Sequence, residues 1–462
     1  MGKLTHIPGR RGLPLIGETV PFMTRQQEWA GARYRKYGPV SRADLLGRQW
    51  VVVLGADAFA TVMINRDNVF ESAPAWTYIN GPFLEGALIY LDPDAHFRQR
   101  RIRNKAFTRR HLERYLDTVN ATVADHLDRW QPSADFHAFP AIRELTLSIA
   151  MRTLAGLDLP DDVRRVEIAF DDTLRAATAL IRYPVPGLSW WRGLRGRAVL
   201  DRILRAHIPD KRANPGSDFF SSLCAASDDD GAYFDDDEVV NHMIAILHAT
   251  HDTTVSTSTA MMYRFGRHRN WQQRCRDEAA ADFAGLGAAE AMPTLDNVIR
   301  ETMRIDGAVP LLPRYAAADT EIAGHRIPAG TYLVTVPQFN HMMGEYWSAP
   351  ETFDPDRFGP DRREDKSHKM AWVPFGAGVH KCIGMPLAML AMHATMHALL
   401  RRFEWSVPDG YEVPWNRMAI PVPKDGLPIT LKRRAAASPT ASETTAPPLH
   451  PGAGDAAPRP PM

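Results

Sequence analysis

The stretch that most constrains this chain is Pro374 to Met389, reading P-F-G-A-G-V-H-K-C-I-G-M-P-L-A-M. Cys382 lies between glycine-bearing turns and what reads as a helix start: Pro386 suits a first turn, and Leu387, Leu390 and Ala394 follow at helical spacing. A helix N-terminus offers free N–H groups and the positive end of its dipole, and His380 and Lys381 lie alongside. The sulfur is therefore expected as a thiolate, suited to a metal or an electrophile. Gly376, Gly378 and Gly384 let the backbone turn around it and admit a large planar ligand, and Phe375, seven residues upstream, can cover its other side. The competing reading, an inert core cysteine, leaves those glycines unexplained.

With 462 residues, 45% hydrophobic and 24% charged, the chain can build a large globular core. The net charge is +1, from 55 basic and 54 acidic side chains, so no global field recruits nucleic acid, and partners must be argued from local patches. Three cysteines, Cys224, Cys275 and Cys382, fit a reducing compartment better than a disulfide framework. No stretch approaches the ~20 apolar residues that span a bilayer, and the N-terminal residues lack a secretory apolar region. A cytoplasmic protein is expected, with peripheral membrane contact left open by Trp190 and Trp191 beside Arg192, Arg195 and Arg197. Packing of those tryptophans on a loop between helices is the plainer reading.

Along the chain, Val40–Leu46 and Trp50–Leu54 read as two strands of a small sheet joined by a turn at Gly47. Asp92, Pro93 and Asp94 read as a turn before a basic helix from His96 to Phe107, on which His96 and Arg100 share a face. Helical periodicity runs from Leu112 to about Arg212, with a break placed at 184–197. The acidic run Asp235 to Glu238 then opens a long helix, apolar almost all round and polar only at its centre, H-A-T-H-D-T-T from His248 to Thr254. Buried polar residues are costly unless satisfied, so this centre is expected to face water or a ligand. Ile322–Ile327 and Thr331–Val336 read as strands flanking an I-P-A-G turn. Residues 435–462, rich in Pro, Ala, Ser and Thr, are expected as a disordered tail to a single domain spanning 1–434.

The F-x-x-G-x-x-x-C-x-G pattern of Phe375, Gly378, Cys382 and Gly384 resembles the cysteine loop of the cytochromes P-450. The other landmarks follow in that family's order over about residues 8–432: the basic helix, the acid–alcohol pair, E-x-x-R at Glu301 and Arg304, then F-D-P-D-R-F at 353–358. The resemblance implies a mainly α fold with a small β region, and one haem b held between the long helix and the cysteine loop. Cys382 would be the axial ligand; His96, Arg100, Arg314 and His380 would contact the haem propionates; Phe375, Gly376 and Gly384 would shape the cofactor's seat. Asp252 and Thr253 would deliver protons, and Glu301, Arg304 and Arg357 would lock the core. Tyr78, Phe83, Leu84, Leu88, Ile246, Ala249, Thr250, Val309, Leu311 and Leu312 fall where substrate contacts are expected.

The implied activity is monooxygenation of an apolar terpenoid, sterol or similar lipid, using dioxygen and electrons from a separate ferredoxin and ferredoxin reductase. One departure stands out: Thr250 occupies the position of a glycine usual after the alanine of this helix motif, where a β-branched side chain narrows the oxygen groove. It keeps open an enzyme of coupling, desaturation or peroxide-driven chemistry. A non-catalytic haem sensor is the further alternative, against which the complete acid–alcohol pair stands.

Overall fold

Asp235 accepts from the Glu238 N–H while the Glu238 carboxylate accepts from the Asp235 N–H, a reciprocal cap that starts the helix Asp236–Arg267. This 32-residue helix runs through the middle of the molecule. Val239, Val240, Met243, Ile244 and Leu247 bury in one apolar cluster, with Phe170, Leu200, Leu204 and Phe220. Met261, Met262 and Phe265 bury in another, with Leu116, Ile142, Val298, Leu390 and Leu399. One element thus ties two cores together, which is why its sequence is apolar on nearly every face.

The computed structural model describes residues 4–14, 16–91, 93–158, 163–177, 179, 181–226 and 233–434. Helices dominate, and the largest sheet has six strands in the order Gly9–Arg10, Val40–Leu45, Arg48–Val53, Thr331–Thr335, Leu312–Ala316 and Phe70–Glu71. The period-2 pattern divides its faces: Val51 and Val53 join Val40, Phe59 and Leu333, whereas Trp50, Val52 and Leu54 join Trp29, Val334 and Val336. The mainly α architecture with a small β region is therefore as expected.

Several local readings change. Ile322–Ile327 is not one strand but most of a hairpin, Thr320–Ile322 with His325–Ile327, turned by Ala323 and Gly324 at positive φ; Thr331–Thr335 pairs instead with Leu312–Ala316. W-W-R-G-L-R-G-R is not a break but part of the helix Ser189–Ala213. There Gly193 and Gly196 pack against Ala176 and Ala169 so closely that a Cβ on either would collide. Trp190 meets the Phe83 ring edge-on at 4.9 Å, and Arg195 lies over Trp191. The short strand Ser133–His137 had no sequence signal. Pro93 and Asp94 already belong to the basic helix, Pro93–Asn104. Asp92 and the tail expected at 435–462 lie outside the described residues.

Candidate functional site: a cysteine loop, a basic cluster and a broken apolar helix

The cysteine loop is built by short-range bonds. Gly376 N–H donates to Val373 O (3.0 Å), Lys381 N–H to Gly378 O (3.1 Å) and Cys382 N–H to Phe375 O (2.9 Å). Gly378 adopts φ +67°, and a Cβ there would run into the carbonyl of Met63, so the loop reaches the helix Ala56–Ile64 only with glycine. Gly384 is different: at φ −81° it caps the helix Met385–Arg402. Its N–H and that of Met385 donate to the Cys382 sulfur. Leu387, Leu390 and Ala394 are buried on that helix as their spacing predicts. The half-buried Phe375 ring packs into the larger helical core.

The Cys382 side chain is open on one side and crowded by protein on the others, so burial raises its thiol pKa, opposed by the Gly384 and Met385 N–H groups and by Arg100 and Lys381. Without an electrophile or metal the thiol keeps its proton, a correction to the free thiolate expected from the helix start alone. His380 does not help it as a cation. Burial, then Arg314, His96 and Arg100, push its pKa down to about 2, so the ring is neutral. Cys224 and Cys275 are buried, and burial raises both thiols, Cys224 to about 11.

Four expected cofactor residues do come together. His96 and His380 lie ring to ring at 4.1 Å, Arg100 and Cys382 act on one another's charge, and Arg314, His96 and Arg100 all act to lower the His380 pKa. His96 and Arg314 are buried, and His380 Nδ1 is a buried atom with no hydrogen-bond partner. The unpartnered Nδ1 of His380, with Arg100 and Arg314 close by, makes a donor set beside the cysteine that suits an anionic ligand. Two propionates on a ring whose metal takes the sulfur fit that set.

Facing this region, the central helix keeps Ala249 exposed and Thr250, Asp252 and Thr253 half-exposed within an otherwise buried run. Thr253 Oγ1 donates to Ala249 O (2.7 Å). Thr250 lines a small cleft, with room for about one water molecule, shared with Thr254, Ser258, Thr146, Thr153, Leu387 and Ala391. Asp252 faces away from Thr253: its Oδ2 lies 3.4 Å from His248 Nδ1, and His248 Nε2 lies 2.8 Å from Thr173 Oγ1. Burial raises the Asp252 pKa, but the His248 bond and nearby His251, His248 and Arg143 outweigh it, leaving the carboxyl below its usual range. The link from Asp252 through His248 to Thr173 escaped the sequence reading, although the i,i+4 spacing of His248 and Asp252 was the available signal.

Glu301, Arg304 and Arg357 form the expected network, all fully buried. Glu301 Oε2 accepts from Arg304 Nε (2.6 Å), and Oε1 from Arg304 Nη2 (2.8 Å), Arg357 Nε (3.0 Å) and the Asp354 N–H (2.9 Å). The candidate substrate residues are more dispersed. The Gly81–Leu84 turn, with Phe83 and Leu84, touches the central helix, and half-buried Leu88 follows in a second short turn. Half-buried Ile246 packs into the core around Phe170, Leu312 approaches Gly376, and Leu311 packs on the sheet face around Trp50. Val309 is half-buried in the segment between helix 293–305 and strand 312–316. Tyr78, on the helix Ala73–Asn80, packs against the sheet instead: its hydroxyl donates to Leu46 O (2.6 Å), and its ring lies against Trp50, Tyr332 and Arg48.

A cysteine loop, a basic cluster and a polar interruption in a buried helix define a haem-thiolate protein. The chain belongs to the cytochrome P450 family, whose family model, "Cytochrome P450", matches residues 7–427. It is 38% identical over 441 residues to the putative cytochrome P450 136 of Mycobacterium tuberculosis, covering 93% of this chain and 89% of that one. It is 26% identical over 400 residues to the sterol 14alpha-demethylase of Mycolicibacterium vanbaalenii, covering 83% and 88%. Its fold matches that of the retinoic acid-bound cyanobacterial CYP120A1 with a TM-score of 0.84 at 26% identity, covering 93% of this chain and 99% of the other. It is thus an oxidoreductase of monooxygenase type that uses haem b. No helix among the described residues is long and apolar enough to cross a membrane.

Proposed function

We propose that the chain inserts one oxygen atom from dioxygen into a C–H bond of an apolar lipid of terpenoid, retinoid or sterol type, with electrons from a separate ferredoxin. The observation that carries the cofactor assignment is the convergence of His96, Arg100, Arg314 and His380 beside Cys382. Cys382 would hold the iron through its sulfur, and the four basic side chains the propionates. Haem bound in this way supplies the oxidising chemistry. The protein supplies orientation, exclusion of water and protons.

Asp252 and Thr253 are the proton-delivering pair in this reading. The Thr253 hydroxyl stands at the exposed face of the central helix, and the Asp252 carboxylate is held ionised one residue earlier. A water molecule or a turn about the Asp252 side chain carries the proton from one to the other. The substrate class rests on apolar Phe83, Leu84, Ile246 and Leu312, and on similarity to proteins described as retinoic acid-bound and as a sterol demethylase. Donor docking falls to exposed Arg98, Arg101, Lys366, Lys369 and Lys381. Arg103, on the same basic helix as Arg98 and Arg101, is buried instead, donating to Gly86 O (3.1 Å) beside His242. Lys105 completes that group in sequence.

The test is product formed per reductant oxidised, with retinoic acid, lanosterol, a monoterpene and a fatty acid offered in turn. The accepted substrate should still bind Thr253→Ala, but reductant should drain into hydrogen peroxide. Coupling unchanged in Thr253→Ala and in Asp252→Asn would refute the relay.

A further inference from the structure

The carboxylate of Asp252 is largely covered, with 14% of its side-chain surface exposed. It points one turn back along its own helix to His248, and from there the contacts leave the helix for Thr173 on the helix Val163–Ala177. Phe170 of that second helix closes the site, meeting the His248 ring edge-on at 4.3 Å and His251 at 5.9 Å. His248 and Thr173 are both buried. We infer that His248, clamped by Thr173, is a positioning residue for oxygen activation: it aims the Asp252 carboxylate, so that proton supply to the groove is set from the neighbouring helix. This rests on the reading of Asp252 as the proton-delivering acid.

The geometry dictates the roles. The Asp252 carboxylate only accepts, so the atom facing it, His248 Nδ1, must carry a hydrogen. On the other side Thr173 Oγ1 lies within bonding distance of His248 Nε2 (2.8 Å) and of two backbone carbonyls, Phe170 O (2.8 Å) and Ala169 O (3.1 Å). Its single proton goes to the ring or to a carbonyl, so the hydroxyl donates to a neutral ring or accepts from a charged one. In both cases Nδ1–H points at Asp252, and the ring is fixed in plane and tautomer, as a third group fixes the histidine of a catalytic triad. Valine at 173 would keep the shape and lose the clamp. The charged groups acting on Asp252 are His248 and His251 from its own helix and Arg143 from the helix Ala138–Ala150. Arg143 is itself paired at 2.9 Å with Asp171, on the same helix as Thr173. Of these, only His248 donates a side-chain hydrogen bond to Asp252.

A donor removed from a buried carboxylate leaves its desolvation uncompensated, so the acid must take up its proton at higher pH. The readout is the C–O stretching frequency of the reduced, carbon monoxide-bound holoenzyme, which senses charge lining the groove, followed from pH 5 to pH 9. Wild type should be flat, because Asp252 stays ionised throughout. His248→Phe and Thr173→Val should each show an acid-side step that the His248→Phe/Asp252→Asn double variant lacks. His248→Asn, which restores an N–H near the position of Nδ1, should return the trace towards flat. Flat traces in His248→Phe and Thr173→Val, with Asp252→Asn still uncoupling turnover, overturn the inference alone. Coupling untouched by Asp252→Asn overturns the reading beneath it. A merely structural role for His248 would lower the amount of holoenzyme in both His248 variants without a step that depends on Asp252, and that result also counts against the inference. If His248→Phe does not fold, Thr173→Val and its Thr173→Ser rescue decide.

Discussion

Glu301→Gln should destabilise the haem domain by an amount the structure sets. Glu301, Arg304 and Arg357 have essentially no exposed side-chain surface, and the one carboxylate accepts four N–H bonds, three of them from the two guanidiniums. Glutamine keeps the shape but turns one oxygen into an NH₂ facing a guanidinium donor and removes the charge that neutralises both arginines. Leaving a buried ion without its partner costs about 3–5 kcal/mol. At about 2.1 cal/mol/K per residue, a chain of 462 residues has an unfolding entropy near 1 kcal/mol/K, so Tm should fall by about 3–5 °C. The damage is directional. Arg357 also donates to Ser348 O and Thr352 O, Arg304 to His341 O, and His341 Nε2 accepts from the Val373 N–H that leads into the cysteine loop. Haem content per chain should therefore fall with Tm. The assay is calorimetry at a fixed scan rate with the haem-to-protein absorbance ratio. A Tm within about 1 °C of wild type and full haem content would show that the network does not lock the loop.

Acid should unfold the protein from below neutrality. Burial holds His341 and His242 near pKa 3 and His126, His251 and His268 near 4. Their folded-state values are depressed, so the stability they lend is complete above the unfolded value of about 6.5 and is lost as pH falls towards 3 to 4, at up to about 1.4 kcal/mol per pH unit for each. His341→Gln keeps an acceptor for Val373 and should flatten the fall of Tm between pH 6.5 and 4; an unchanged slope refutes the assignment. Reduction by an acidic ferredoxin should slow as salt rises past a Debye length of ~8 Å. Reversing Arg101 and Lys381 should slow it further, whereas a rate indifferent to both would remove the docking surface.

The sequence showed the chemistry more fully than the connections. The glycines around Cys382, the Glu301–Arg304 spacing and the acidic start of the central helix were legible because each is a local pattern with one physical meaning, and Asp235 with Glu238 forms the cap that its spacing suggests. Hydrophobic periodicity also placed the helix Met385–Arg402 and the paired strands near residue 45. What escaped depends on long-range partners. Arg103 looked like its neighbours Arg98 and Arg101, yet helix rotation buries it against Gly86 and His242. Trp190 and Trp191 looked like loop residues because Gly193 and Gly196 mimic a break, whereas those glycines are small so that one helix can lie against another. The partner of Asp252 was visible four residues away, but Thr173, which completes it, lies 75 positions distant from His248.

The central claim, that Cys382 is the sulfur that binds iron, is tested by the carbon monoxide difference spectrum of the reduced protein for three variants, Cys224→Ser, Cys275→Ser and Cys382→Ser. Cys224 and Cys275 are buried with raised thiol pKa values, while Cys382 alone of the three has an open side and N–H donors from a helix start. The red-shifted Soret band of thiolate ligation should persist in the first two and vanish in the third. Its survival in Cys382→Ser, or its loss in either of the others with Cys382 intact, would contradict the account.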